Sequence, residues 1–216
     1  MADTKQHLKV VLLGDSHVGK TSLRTQLVHH VFSNAYRATI GGDFLTTALE
    51  IVGPDGPVTA TLQVWDTAGQ ERFNSLVRAF YRGADVAVVV FDLTNPESFQ
   101  NVARWIEGFL ANVHVDRPAI VIVGNKSDRD TERRISTRQA REFAALASVA
   151  RGQSLVDRGL IEDLDLDVRD CCAKNYAEVR AIFQRCAELG VSRASQPALE
   201  FDCVDISEPV RNKGCC

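Results

Sequence analysis

Cysteine is missing from the first 170 residues of this 216-residue chain. A disulfide-stapled secreted domain spreads its cysteines through the fold, so that class is excluded. Long apolar runs are missing too, and none reaches the roughly 20 residues that a membrane-spanning helix needs. Excess positive charge is also missing. The 25 Lys and Arg stand against 28 Asp and Glu, a net charge of −3. That balance argues against general attraction to nucleic acid or to an acidic membrane surface. The opening stretch, Met1–Lys9, is polar and has no apolar core of a secretory signal. No internal repeat is visible. What is present is an ordinary globular composition, 45% hydrophobic and 25% charged, on a chain long enough to bury a real core. Length predicts one domain with a tail left over. The six cysteines are Cys171, Cys172, Cys186, Cys203, Cys215 and Cys216, so two of them end the chain.

The hydrophobic pattern alternates between strand and helix. Val10–Leu13 reads as a buried strand feeding a glycine loop, and Lys20–Val31 has helical spacing of Leu23, Leu27 and Val31. Phe44–Val52 and Val58–Trp65 flank Gly53-Pro54-Asp55-Gly56-Pro57, which predicts a hairpin. Val86–Phe91 and Ile120–Val123 are continuous β-branched runs of the kind found in interior parallel strands. Pro96–Val113 has helical length after an Asn95-Pro96 start. Ser136–Val149 reads as an amphipathic helix with Thr137 as cap. Leu164–Cys172 is a last strand, and Tyr176–Leu189 a last helix stopped by Gly190. This order predicts an α/β domain over residues 1–190 with a mainly parallel sheet and right-handed crossovers. Residues 191–216 lose all periodicity and read as a flexible tail.

Gly14-Asp15-Ser16-His17-Val18-Gly19-Lys20-Thr21 fits G-x-x-x-x-G-K-[ST] between a strand and a helix. Its glycines let the backbone approach a phosphate. Successive N–H groups from Asp15 to Ser22, at a helix N-terminus, form an anion nest. Lys20 would span the β- and γ-phosphates, and the Thr21 hydroxyl would ligate Mg²⁺. The blander reading is a glycine turn before a helix with a surface lysine. His17 fits in such a loop only where φ need not be positive. It reads as a solvent-facing imidazole, with a looser nucleotide site as the sharper version.

Asp66-Thr67-Ala68-Gly69-Gln70 follows a strand, so Asp66 is placed for a second Mg²⁺ contact. Gly69 offers an N–H to a γ-phosphate, and Gln70 could orient an attacking water. Asn125-Lys126-Ser127-Asp128 follows another strand. Asp128 can accept from guanine N1–H and N2, a donor pair that adenine lacks, so it selects GTP over ATP. Asn125 would tie this loop to the phosphate loop, and the Lys126 stem would lie over the base. In Cys172-Ala173-Lys174 the Ala173 N–H could meet guanine O6.

These four motifs, in this order, resemble the Ras superfamily of small GTPases over about Leu8 to Leu189. Ile40-Gly41-Gly42-Asp43-Phe44, Trp65–Phe73 and Tyr81-Arg82-Gly83-Ala84-Asp85 are similar to the Rab branch. Phe32–Thr46, Gln63-Val64-Trp65 and Phe73-Asn74-Ser75-Leu76 look like its late-endosome and vacuole subfamily, whose fungal form is named Ypt. The resemblance implies a P-loop small GTPase domain: a six-stranded, mainly parallel sheet with helices on both faces and a flexible C-terminal tail. It implies GTP/GDP and Mg²⁺ as cofactors, with Lys174 completing the base site. Thr39 would hold Mg²⁺ and the γ-phosphate, joining Gln70 and Lys20 in hydrolysis. Phe32 would pack on the guanine edge and Tyr36 near the phosphates, while Phe44, Trp65 and Phe80 would form an aromatic triad facing effectors.

The implied partners are an exchange factor, a GTPase-activating protein, a GDP-dissociation inhibitor, a Rab escort protein and effector or tethering proteins, with no nucleic acid and a monomeric chain. Slow intrinsic turnover is expected, because no arginine stands in an obvious cis position. Lys213-Gly214-Cys215-Cys216 matches the Rab di-cysteine end, which carries two geranylgeranyl groups. One chain holds marginally and two anchor stably, and the resemblance implies the cytoplasmic face of late-endosome or vacuole membranes, cycling with the cytosol. Three features depart from the family: His17, Cys172 where serine is usual, and an apparent insertion at residues 150–164, expected as a longer helix or a surface loop. Two rival readings are a P-loop ATPase or nucleoside kinase, and a nucleotide-binding module with impaired hydrolysis that acts by protein interaction.

Overall fold

The computed structural model describes residues 5–33, 39, 42–53, 56–67, 79–148 and 152–195. Six strands form one sheet: β1 (Lys5–Leu13), β2 (Gly42–Gly53), β3 (Gly56–Thr67), β4 (Val86–Asp92), β5 (Ala119–Asn125) and β6 (Val168–Cys171). Their spatial order is β2-β3-β1-β4-β5-β6. The β2–β3 hairpin is antiparallel, pairing Phe44 with Trp65, and every other neighbour pair is parallel. The predicted fold class and hairpin are the ones observed.

The parallel strands are buried on both faces, so their side chains divide by parity. Val86, Val88 and Val90 enter one core, and Ala87, Val89 and Phe91 enter the other. The first core is closed by α1 (Lys20–His29) through Leu23 and Leu27. It is also closed by a long C-terminal helix, Tyr176–Ala194, through Val179, Ile182, Phe183 and Cys186. The second is closed by α2 (Pro96–Gln100), α3 (Val102–Leu110) and α4 (Thr137–Leu146). Phe109 and Phe183 are fully buried, one in each core. Each contributes about 2–3 kcal/mol of apolar burial.

Four local expectations need correction. The single helix over Pro96–Val113 is two helices meeting at Asn101, and the second ends at Leu110. The cap of α4 is Ser136, not Thr137: Ser136 Oγ accepts from Gln139 N while the Gln139 side chain accepts from Ser136 N. The stretch Leu164–Cys172 begins with a helical turn, α5 (Leu164–Asp167), because Asp163 caps the N–H groups of Asp165 and Leu166. Finally α6, the Tyr176–Ala194 helix, runs straight through Gly190. A Cβ there would stand 2.7 Å from Leu8 Cδ1, so this glycine serves close packing of helix on strand rather than termination.

In its described part the apparent insertion is not a helical extension but a turn-rich surface loop pinned to the core at a few points. Residues 152–163 fold as turns, with Leu155, Leu160 and Ile161 buried in the second core. Leu160 O accepts from Ile120 N at 2.9 Å, and Arg193 of α6 donates to the carbonyls of Pro118 and Gly159 while pairing with Glu162. This anchor sits at the start of β5, roughly 16 Å of strand from Asn125.

Candidate functional site

The loops after β1, β5 and β6, with Asp66 near the end of β3, lie at the carboxyl ends of parallel strands, where open α/β sheets bind ligands. The first loop is held in an unusual backbone shape. Gly14 has φ 133 and Gly19 has φ 102. A Cβ on Gly14 would lie 2.1 Å from Val90 O, and one on Gly19 would lie 2.2 Å from Asn125 Nδ2. Both positions therefore demand glycine on two counts. His17, at φ 67, has a Cβ in the left-handed region. The sequence expectation allowed a side chain here only if φ need not be positive. The structure places it there at a cost of roughly 1 kcal/mol. Lys126, at φ 68, is a second left-handed non-glycine residue in the site loops.

Lys20 is 6% exposed and donates to the carbonyls of Gly14 and Asp15, both at 2.7 Å. Burial drives its pKa down to about 8, against the pull of Asp66 and Asp15. Thr21 Oγ1 donates to Asp66 Oδ2 at 2.6 Å and lies 2.9 Å from Thr39 Oγ1. Thr39 Oγ1 reaches the same carboxylate oxygen at 3.4 Å. Asp66 is fully buried, and burial raises its pKa while the Thr21 hydroxyl, Arg24 and Lys20 oppose that rise. Its Oδ1 is buried with no hydrogen-bond partner among the described residues. An orphaned buried carboxylate oxygen beside two converging hydroxyls is the hard, anionic donor set that Mg²⁺ takes, so these residues fit the ion. Ser16 and Ser22 are partly exposed, and Val18 is buried beneath the loop.

At the other end, Asn125 ties three segments together. Its Nδ2 donates to Val18 O at 2.7 Å, and its Oδ1 accepts from Ala173 N at 3.1 Å. The Ala173 N–H expected at guanine O6 is therefore turned toward Asn125 in this structure. Asp128 Oδ2 pairs with Lys174 Nζ at 2.6 Å, and Oδ1 accepts from Cys172 Sγ at 3.3 Å. The Lys174 ammonium, with smaller help from the Cys172 thiol, holds the Asp128 carboxyl below its usual range. Lys174 Nζ also stands 5.7 Å over the Phe32 ring, and Lys126 Nζ is fixed by Asp92 Oδ2 at 2.6 Å. Asp128, Cys172 and Lys174 line a cleft completed by Gln26, Ser127, Asn175, Tyr176 and Glu178.

The aromatic residues expected to face effectors are in contact. Phe44 stacks on Trp65 at 4.7 Å between centroids, and Trp65 meets Phe80 at 5.3 Å. Phe44 is 43% exposed, a large apolar side chain left at the surface. Sequence reasoning missed Asp92 as the partner of Lys126, and missed the Cys172 contact with Asp128. No local pattern signals either, because the partners are 34 and 44 residues apart. Tyr36, Gly69, Gln70, Cys215 and Cys216 lie outside the described residues.

Residues 9–190 match the model of the Ras family. The chain belongs to the Ras family. Within that family it is similar to the Ypt/Rab-type GTPase YPT7 of Saccharomyces cerevisiae, 51% identical over 144 residues, which cover 65% of this chain and 68% of that one. It is 39% identical over 216 residues to the Ras-related protein Rab7 of Pisum sativum, covering 96% and 95%. To the Ras-related protein Rab-7b of Paramecium octaurelia it is 37% identical over 221 residues, covering 98% of each. This Ras-family chain is a Rab-type GTP/GDP switch of late-endosome and vacuole trafficking, and it binds guanine nucleotide and hydrolyses GTP. Among the described residues no helix is long and apolar enough to cross a membrane.

Proposed function

We propose that the loop from Asp15 to Ser22 cradles the phosphates, that Thr21, Thr39 and Asp66 hold Mg²⁺, and that Gln70 orients the attacking water. The observation that carries this reading is the convergence of the Thr21 and Thr39 hydroxyls on buried Asp66, whose Oδ1 has no partner among the described residues, while Lys20 is held on the Gly14 and Asp15 carbonyls within reach of its charge. Bound there, Mg²⁺ supplies neutralisation of phosphate charge. Lys20 carries its ammonium from the carbonyls of Gly14 and Asp15 to the β- and γ-oxygens, which repay its desolvation better than neutral carbonyls do. Thr39 and Gly69 read the γ-phosphate and order the two switch segments around it. Loss of that phosphate releases both.

At the base end Asp128 accepts from guanine N1–H and N2, with Asn125 bracing the loop and Lys126, Phe32 and Tyr36 closing on the nucleotide. Asp128 exchanges its Lys174 ion pair for the base. Its solvent-open setting makes that exchange cheap. Ala173 N–H turns from Asn125 to the O6 atom. Phe44, Trp65 and Phe80 offer effectors a surface that the switches present in the GTP state.

The regulators follow from the same chemistry. An exchange factor opens the site, and an activating protein supplies the missing arginine together with a glutamine. An escort protein presents Cys215 and Cys216 for geranylgeranylation, and a dissociation inhibitor shields the lipids, so the chain cycles as a monomer between cytosol and the cytoplasmic face of the membrane. Arg211 and Lys213 are the nearby cations, too few for a polybasic anchor. Single-turnover GTP hydrolysis tests the core of this reading. Wild type should turn over slowly, and Gln70→Leu should lower the rate by about 10- to 100-fold. Equal rates would remove Gln70 from the mechanism. Mass spectrometry of protein from native membranes tests the lipids, and unmodified terminal cysteines would sink that part.

A further inference from the structure

Asp15 places a carboxylate inside a loop built to gather anions. Its Oδ2 accepts from Asn101 Nδ2 and its Oδ1 from Trp105 Nε1, each at 2.7 Å. Asn101 is the residue at which α2 ends and α3 begins, and Trp105 follows one turn later on the same helical face. Trp105 is 6% exposed, so its ring is fixed by packing and its N–H direction is fixed with it. Both donors are neutral, so they satisfy the carboxylate without adding positive charge. The same residue's backbone carbonyl accepts from Lys20 Nζ at 2.7 Å. A side chain anchored on α3 and a carbonyl anchored on the phosphate lysine leave Asp15 little freedom.

We propose that Asn101 and Trp105 are positioning residues of the phosphate site, acting through Asp15. They tie its carboxylate to α3, which keeps that negative charge from swinging toward the phosphates and, before nucleotide binds, sets the Asp15 carbonyl against Lys20. This rests on residues 14–21 being the phosphate loop. Like charge repels phosphate most when it is free to approach and when salt does not screen it. The helix thus acts by restraining a charge, not by touching nucleotide.

The test is nucleotide release from Trp105→Phe, Asn101→Ala and the double variant. Fluorescent GDP and a fluorescent non-hydrolysable GTP analogue are the probes, in stopped flow at about 0.05 and 0.5 M salt. Phenylalanine keeps most of the buried ring and deletes the N–H. The double variant should release the GTP analogue about 5- to 10-fold faster than wild type. The effect should be smaller for GDP, which carries less charge, and smaller at high salt. Adding Asp15→Asn should bring release back toward the wild-type rate. Unchanged release overturns the proposal. So does faster release that is equal for both nucleotides, ignores salt and persists with Asp15→Asn, since that is loss of packing alone. If Trp105→Phe unfolds, Asn101→Ala by itself must show the same charge and salt dependence. A wild type that binds neither nucleotide would instead overturn the phosphate-loop reading.

Discussion

At the phosphate end of the site, Lys20 is 6% exposed and Asp66 fully buried, and their partners are carbonyls and hydroxyls of the same cradle. At the base end, Asp128 and Lys174 keep 32% and 53% of their side chains in solvent and pair with each other. The first arrangement stores charge in a low-dielectric pocket, where removing one member leaves the other uncompensated. The second holds charge in water, where an ion pair is worth little and is easily exchanged for a ligand. Nucleotide affinity should therefore respond far more sharply to changes at the phosphate end. Lys20→Ala breaks the comparison at its strong end, because it strips the ammonium and leaves Asp66 buried. GTP affinity should fall about a thousandfold, roughly 4 kcal/mol. A fluorescent-nucleotide titration showing a loss below tenfold would mean that Lys20 does not carry phosphate charge.

The base end should show a smaller loss of affinity but a larger loss of discrimination. Asp128→Asn replaces a carboxylate by an amide that can accept only one of the two guanine donors. GDP affinity should drop about 100-fold, roughly 2.7 kcal/mol, and preference for GTP over ATP should shrink with it. Competition between the two nucleotides measures both. Undiminished preference would move base selection elsewhere in the site.

The two ends also differ in proton linkage. Burial lowers Lys20 to about 8 in the free protein, and a phosphate beside it raises that value. Above pH 8 the free site has lost a proton that the bound site keeps. Binding then takes up a proton, so affinity falls as pH rises, by up to about tenfold per unit. Below pH 8 this contribution is flat. Dissociation constants from pH 6.5 to 9.5 check the sign, and Lys20→Arg, which cannot lose its proton, should abolish the slope.

The parts of this architecture that the sequence made legible depend on neighbours in the chain. The phosphate loop announces itself because Gly14, Gly19, Lys20 and Thr21 do their work within one turn of backbone. The interior strands are legible because burial on both faces leaves apolar residues up to their last positions, Asp92 and Asn125. What stayed hidden depends on contacts across the fold. Gly190 looks like a helix stop until Leu8 is seen against it. Residues 152–163 look like an insertion with no task until Leu155 and Leu160 are seen in the core. Asp15 looks like one more loop residue until Asn101 and Trp105, 86 and 90 positions away, are seen to hold it. Local spacing encodes backbone geometry, while long-range hydrogen bonds leave no periodic trace.

The smallest expected effect sharpens the base end. Cys172 Sγ donates to Asp128 Oδ1 at 3.3 Å, and burial foremost keeps the thiol protonated by raising its pKa. A thiol is a weak donor, so it restrains the carboxylate loosely. Serine at this position donates a charge-assisted O–H bond that is shorter and stronger. Cys172→Ser should therefore hold Asp128 more firmly toward the base and slow GDP release by about two- to fivefold, within 1 kcal/mol. Phosphate-end behaviour, including the pH slope set by Lys20, should stay as it was. Faster release from the serine variant would mean that the carboxylate needs the looseness a thiol allows, and that Cys172 favours binding rather than exchange.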